Sequence, residues 1–152
     1  MGEDPMKSAE SNKNADKQSE QKAAQQEQNH KQNESKKKQG GISTHVLDQA
    51  QGTPAAGVPV TLYKVDQSGK KTEINKAKTA KDGRVQELLA PDKLKEGDYE
   101  IVFSVGSYFK KNGSKTEFLN EIPVRFHVED ATQHYHVPIV AAPGGYSTYH
   151  GS

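Results

Sequence analysis

The sequence predicts an all-β sandwich that follows a long polar N-terminal segment. Every Val, Ile, Leu, Phe and Tyr of the 152-residue chain lies after residue 41. In that part, short alternating or apolar stretches recur at short intervals between turn residues, and only one stretch has helical character. Seven or eight short strands with turns between them are typical of a β-sandwich.

The first predicted strands come directly after the polar segment. Residues 42–47 are rich in β-favouring side chains and end at Asp48, before the turn residues 52–54. Residues 58–65 alternate, because Val58, Val60 and Leu62 fall on one face of an extended chain. A turn at 67–70 leads to a weaker strand at 72–79, and Asp-Gly at 82–83 is a strong signal for a tight turn.

The remaining elements are predicted from similar signals. Residues 99–105 are apolar on both faces at their centre, which indicates a buried strand. Residues 107–112, ended by Gly113, form the single predicted helix of at most two turns. Further strands are predicted at 122–128, 135–141 and 146–149.

The N-terminal segment, residues 1–41, contains no Val, Ile, Leu, Phe, Tyr or Trp. We expect it to be disordered, because it has too little apolar surface to offset its conformational entropy. Residues 1–6 resemble a cloning remnant that ends on a second Met, Met6. Three lysines at 36–38 are either a solvated linker or a contact for anionic lipid or RNA. No apolar signal-peptide core is present. Two compartments stay open: the cytoplasm, or the periplasm if an export signal has been removed.

Composition narrows the function classes. The net charge is +1 and the chain has no Cys. A balanced charge offers no electrostatic basis for binding nucleic acid, and no run of residues is long and apolar enough for a membrane-spanning helix. Without Cys, disulfides, thiolate nucleophiles and Cys-based zinc sites are excluded.

Histidine and arginine supply the candidate chemistry. His134 and His136 form an H-x-H pair on a predicted strand, which places both imidazoles on one face about 6.5–7 Å apart. This pair is open to three interpretations: half of a zinc site completed by His45, a metal-free acid–base pair, or two solvated side chains. Arg84 is either a planar clamp for an anion or carbonyl, or a plain surface residue. His45 is either a structural histidine or part of the site.

Five motifs resemble the transthyretin-like family. They are Thr-His-Val-Leu-Asp at 44–48 with the following stretch 52–60, Asp-Gly-Arg at 82–84, Ser-Tyr-Phe at 107–109, His-Tyr-His-Val-Pro at 134–138, and the terminal segment 145–152. The last two are similar to the signature of the enzymatic branch, 5-hydroxyisourate hydrolase. That branch usually ends Tyr-Arg-Gly-Ser, whereas this chain has His150 at the position of the arginine. The resemblance runs from residue 42 to residue 152.

The resemblance implies a prealbumin-like β-sandwich of two four-stranded sheets with one short helix. It also implies a homotetramer, a dimer of dimers, whose channel holds sites shared between chains. The branch hydrolyses 5-hydroxyisourate to 2-oxo-4-hydroxy-4-carboxy-5-ureidoimidazoline, with no metal or organic cofactor. The alternative within the family is a carrier of a small aromatic ligand.

Carried over motif by motif, the resemblance implies a catalytic group and a substrate-binding group. His45, Arg84 and His136 would be catalytic, with the imidazoles activating water and the guanidinium stabilising negative charge. Tyr149 and Ser152 would bind substrate, together with Ser147 as a weaker candidate.

Overall fold

A computed structural model describes residues 40–115 and 117–151 of the chain. The predicted disorder of residues 1–39 lies outside the described residues. Nine strands and one α-helix are found in the described part: β1 (Ile42–Asp48), β2 (Thr53–Pro54), β3 (Pro59–Val65), β4 (Lys71–Lys78), β5 (Arg84–Leu89), β6 (Gly97–Ser104), α1 (Val105–Lys111), β7 (Glu121–Val128), β8 (Tyr135–Ala142) and β9 (Gly145–Thr148). No helix in these ranges has the length and apolar character needed to span a bilayer.

The strands form two sheets, which confirms the predicted sandwich. One sheet has the order β4-β3-β6-β7, and all its pairs are antiparallel. The other has the order β2-β1-β8-β9, with β5 paired to β1 beside the two-residue β2. Strands β1 and β8 are parallel, although their paired residues are more than 90 positions apart in the chain. This parallel pair joins the two segments in which sequence analysis finds the histidine motifs.

The core lies between the two sheets. Its largest fully buried side chains come from both layers and include Ile42, Val46 and Ile139 from one sheet and Leu62, Ile101 and Phe103 from the other. In β3, the buried Val60 and Leu62 alternate with half-buried residues. This pattern sets the register of the strand, because a one-residue slip would turn its apolar set toward the opposite face.

Strand β5 is the main element that the sequence patterns did not predict. Its sequence, Arg-Val-Gln-Glu-Leu-Leu, has two adjacent polar residues that break the alternation of a strand. Pairing with β1 defines it instead. The turn before it is as predicted, with Gly83 at φ +78°, and a Cβ on Gly83 would lie 2.5 Å from the carbonyl oxygen of Val46. Only glycine fits where this turn presses on β1.

Helix α1 begins two residues earlier than predicted, because Val105 and Phe109 are buried against the core and anchor it. The Tyr108 hydroxyl donates a hydrogen bond of 2.8 Å to Asp48 at the end of β1. Burial and this bond to Asp48 raise the pKa of Tyr108 to about 12. The neutral phenol therefore links the helix to the sheet that carries His45 and His136.

Candidate active site

The candidate site lies on the face of the β1–β8 sheet that points away from the core. Along β1, Ile42 and Val46 are core residues, so strand alternation directs Ser43 and His45 to the other face. Along β8, Tyr135 and Val137 are core residues, which directs His136 to that same outer face. We call this surface of the sheet that contains β1 and β8 the outer face.

His45 and Arg84 are direct neighbours on the outer face. They are Cα partners in the antiparallel β1–β5 ladder. Residues opposite each other in such a ladder have Cβ atoms about 4.5–5.5 Å apart and share a face. His45 is buried, at 4% exposure, whereas Arg84 is half-buried. The side chains of His45 and Arg84 therefore leave the sheet from neighbouring positions on the same face.

The two arginines of the chain have different roles in the structure. Arg125 lies 3.0 Å from Glu100 in an ion pair on the other sheet. Arg84 forms no ion pair with any carboxylate in residues 40–115 and 117–151. Its backbone N–H, not its guanidinium, donates to the Asp82 side chain. The guanidinium of Arg84 is thus available for an anionic or carbonyl ligand.

His136 joins this pair from the neighbouring strand. In the parallel β1–β8 ladder, Ser43 is the partner of His136 and Pro138 is the partner of His45. His45 and His136 are therefore diagonal neighbours, with Cα atoms roughly 8 Å apart from the strand spacing and rise. The three residues predicted to be catalytic lie on three adjacent strands, β5, β1 and β8.

Sequence analysis did not single out Ser43, which the structure places between two imidazoles. Its Oγ lies 2.8 Å from Nε2 of His134 and 2.8 Å from Nδ1 of His136. Nδ1 of His134 lies 3.0 Å from the carbonyl oxygen of Gly40. A parallel partner more than 90 positions away leaves no local signal, so only a correct β1–β8 register could have revealed it.

The C-terminal segment covers His136. Gly151 donates its N–H to the His136 carbonyl oxygen at 2.9 Å, and a Cβ on Gly151 would lie 2.6 Å from Cδ2 of the imidazole. Tyr149, at 51% exposure, follows β9. Ser152 lies outside the described residues.

Ser147 is farther from the predicted catalytic residues. It pairs with Val140, four residues along β8 from His136, which corresponds to roughly 13 Å along the strand. The structure therefore does not bring Ser147 next to His136 within one chain.

His150 lies on the other side of the sheet. Its ring stacks on Tyr135, with centroids 5.6 Å apart and planes 8° from parallel. Tyr135 is a core residue whose hydroxyl accepts hydrogen bonds from the backbone N–H groups of Glu129 and Asp130. The residue at which the chain departs from the terminal motif thus packs on the core side, away from His136.

An open cleft of about 460 Å³ lies at this core-side edge, and of the predicted site residues only Tyr149 lines it. Its lining is mainly aromatic and aliphatic, with contributions from Val124, Phe126, Tyr135, Val137, Thr148, Tyr149 and His150, and with His127, Glu129 and Gln133 at its polar side. The cleft is separate from the outer face that carries His45, Arg84 and His136.

Metal binding was one interpretation of the H-x-H pair. Within the described part of the chain, no three His, Asp or Glu side chains are grouped to hold a metal ion. Both ring nitrogens of His134 have a protein partner, Ser43 and the Gly40 carbonyl. A metal would therefore have to displace one of these hydrogen bonds.

Both the sequence and the fold of this chain have counterparts among known proteins. Residues 42–151 match the HIUase/Transthyretin family. The chain belongs to the HIUase/Transthyretin family.

The relatives of this chain include both 5-hydroxyisourate hydrolases and transthyretins. The 5-hydroxyisourate hydrolase of Halalkalibacterium halodurans is 50% identical over 117 residues, which cover 74% of this chain and 98% of that protein. Among solved structures, Klebsiella pneumoniae 5-hydroxyisourate hydrolase has a TM-score of 0.63 and 33% identity, covering 74% of this chain and 99% of that one. Sea bream transthyretin in complex with thyroxine has a TM-score of 0.68 and 25% identity, covering 72% and 93%.

Proposed function

We propose that the chain hydrolyses 5-hydroxyisourate to 2-oxo-4-hydroxy-4-carboxy-5-ureidoimidazoline. The observation that carries this proposal is the placement of His45, Arg84 and His136 on adjacent strands of one face. Relatives that this chain matches over nearly their whole length are hydrolases of this substrate. An imidazole–guanidinium face supplies the two functions that opening a ring amide requires, a base for water and a stabiliser for the oxyanion.

Water activation is assigned to the two imidazoles. An imidazole titrates near neutral pH, which suits a general base, and positioned proton transfer contributes typically 10²–10⁴-fold to a rate. His45 and His136 lie roughly 8 Å apart at Cα, a separation at which both side chains can reach a single water. One of them takes the proton as the water attacks the ring carbonyl, and the leaving nitrogen receives a proton.

Charge stabilisation is assigned to Arg84. Negative charge develops on the carbonyl oxygen as water adds, and a preorganised donor beside that oxygen lowers the barrier. The planar guanidinium offers paired N–H groups to neighbouring oxygens of the substrate. No carboxylate in the described residues competes for it.

Substrate binding is assigned to Tyr149, Ser152 and Ser147, in a homotetramer arranged as a dimer of dimers. The exposed aromatic side chains Tyr146 and Tyr149 on or beside β9 support an additional contact there. The cleft of about 460 Å³ does not include the predicted catalytic side chains, and a second chain packed on the outer face would enclose them. Ser147, distant from His136 in its own chain, would then serve a shared site.

Carriage of a small aromatic ligand is the second candidate function, favoured by the similarity to thyroxine-bound transthyretin. The outer face argues against it, because a buried imidazole and an unpaired guanidinium suit a polar, reacting substrate more than an apolar ligand.

The deciding experiment mixes the purified chain with freshly generated 5-hydroxyisourate and follows the loss of its ultraviolet absorbance. We expect decay well above the spontaneous rate, and decay that His136→Asn abolishes. Dialysis against a chelator beforehand should leave the rate unchanged; a loss restored by zinc would support the metal interpretation. Spontaneous decay only, combined with tight binding of thyroxine, would favour the carrier.

Assembly has its own test, because a site shared between chains depends on concentration. Activity per chain should fall when dilution separates the dimers. Sedimentation velocity and kinetics measured over one dilution series provide the check. A monomer that retains full activity would rule out the shared site.

A further inference from the structure

The hydroxyl of Ser43 connects two imidazoles and one carbonyl in a single row. The row runs from the Gly40 oxygen to Nδ1 of His134 at 3.0 Å, from Nε2 of His134 to Ser43 Oγ at 2.8 Å, and from Oγ to Nδ1 of His136 at 2.8 Å. All three contacts are within hydrogen-bond distance. The row begins at the Gly40 carbonyl oxygen, which can only accept a hydrogen bond, and ends at His136, a predicted catalytic base.

The carbonyl end sets the direction of every bond in the row when His134 is neutral. A carbonyl oxygen only accepts, so Nδ1 of His134 carries the proton. Its Nε2 then carries a lone pair and accepts from the Ser43 hydroxyl. That hydroxyl has one proton, so its oxygen accepts from Nδ1 of His136.

This direction of the hydrogen bonds determines the state of Nε2 of His136, the ring nitrogen that does not contact Ser43. A neutral imidazole with its proton on Nδ1 has its lone pair on Nε2. Nε2 is then the basic atom. When it takes a proton, the Nδ1–H bond to Ser43 becomes charge-assisted and stronger. Ser43 and His134 keep their own protons throughout, so no proton crosses the row.

We propose that the row from Gly40 through His134 and Ser43 holds His136 in the Nδ1–H tautomer, and thereby makes Nε2 the base. This inference rests on the proposed function, because it gives His136 its task. His134 and Ser43 are positioning residues, since they act on His136 and do not touch the substrate. His134 is exposed, which fits a residue that the fold itself does not require.

The test reads the tautomer directly. Ring ¹⁵N chemical shifts of His136 distinguish the Nδ1–H from the Nε2–H form in the full chain without substrate. We expect Nδ1–H in the wild type, and a shift toward Nε2–H in Ser43→Ala and His134→Leu. His134→Gln should restore the wild-type form, because its amide oxygen can accept from Ser43 in place of Nε2. His127→Leu, which removes an exposed histidine paired with Asp98 on the other sheet, is the matched control.

Kinetics of the same variants complete the test. In Ser43→Ala and His134→Leu we expect kcat to fall by about tenfold or more, as part of the 10²–10⁴ that a general base contributes, with KM little changed. His134→Gln and His127→Leu should stay near wild type. An Nε2–H ring in the wild type, or a Ser43→Ala variant with unchanged tautomer and kcat, would overturn the proposal. A wild type without hydrolase activity would instead reject the function, while the ¹⁵N shifts would still decide whether the row sets the tautomer.

Discussion

Arg84 and Arg125 are the two arginines of the chain, and the contrast between them defines the chemistry at the residue scale. Arg125 is paired with Glu100, whereas Arg84 is the cross-strand partner of the buried His45. Since the lysines vastly outnumber the arginines, we predict that Arg84 serves through planar, paired donors rather than through positive charge alone.

Replacing Arg84 by Lys separates these two properties. The change keeps the positive charge but loses the planar guanidinium with its paired N–H groups. We therefore expect kcat/KM to fall nearly as far as in Arg84→Ala, by about 10²–10³-fold, the usual loss for one oxyanion donor. The melting temperature should barely change, because the half-buried side chain packs little. Arg125→Lys is the control and should keep its activity. Full activity in Arg84→Lys would show that only the positive charge of Arg84 matters. Full activity in Arg84→Ala would show that Arg84 is not part of the site.

Gly151 controls the position of the His136 ring. An added Cβ would come within 2.6 Å of the imidazole, and the ring would turn away because it is the movable partner. Displacing a reacting group by about 1 Å can cost 10²-fold in rate, so Gly151→Ala should lose activity and keep its melting temperature. Gly144→Ala, where nothing lies within 4 Å, is the control. Equal activity in both variants would show that the ring position is not critical.

At the scale of elements, a charged cluster stabilises the β4-β3-β6-β7 sheet. Glu100 on β6 is buried, and its carboxylate binds Lys71 of β4 and Arg125 of β7 at 3.0 Å each. Burial alone would raise its pKa, but the hydrogen bonds and charges of Lys71 and Arg125 outweigh burial and hold the pKa of Glu100 below its usual range. The cluster thus links β6 to both edge strands of its sheet.

This cluster predicts a pH-dependent contribution to stability. A lowered folded-state pKa stabilises the fold above the unfolded pKa and ceases to do so as pH falls through the folded value. Glu100→Gln should therefore lower the free energy of unfolding by roughly 1–2 kcal/mol near neutral pH, and by progressively less below about pH 4.5. Denaturant titrations of both proteins across this range test it. Glu73→Gln, at an exposed pair of 4.0 Å, should show almost no difference at any pH.

Elements with their own sequence signal were predictable, and those defined by a partner were not. The apolar centre of β6 and the alternation in β3 mark these strands without further information. Strand β5 has no such pattern, because Gln86 and Glu87 interrupt it, and pairing with β1 alone makes it a strand. The same holds for the candidate site: His45, Arg84 and His136 were predicted through motifs, whereas the contacts of Ser43 with His134 and His136 depend on the β1–β8 register.

For the whole molecule, the boundary between the polar segment and the domain is set by two glycines. Gly40 and Gly41 are buried and have positive φ. The Gly41 oxygen accepts from the Tyr135 N–H at 3.0 Å, and the Gly40 oxygen binds His134. These contacts belong to the sandwich, although both residues lie in the segment whose composition predicts disorder.

Two truncations locate this boundary. Removal of residues 1–39 should leave the melting temperature and turnover nearly unchanged, because that stretch contains no Val, Ile, Leu, Phe, Tyr or Trp to pack. Removal of residues 1–41 should lower the free energy of unfolding by roughly 1–2 kcal/mol through two lost hydrogen bonds. Thermal and denaturant unfolding of both proteins give the comparison. A large loss already in the shorter truncation would show that the polar segment packs on the domain.

The parallel pairing of β1 with β8 also bears on how the molecule acquires its activity. These strands lie near opposite ends of the sandwich sequence, so their pairing closes a loop of about ninety residues. The chain loses the entropy of this loop before the β1–β8 contacts can stabilise it. Local hairpins such as β3–β4 form without it. Refolding chains should therefore gain strand structure before they gain a reactive face, and the return of catalysis marks the moment at which the two ends of the chain find each other.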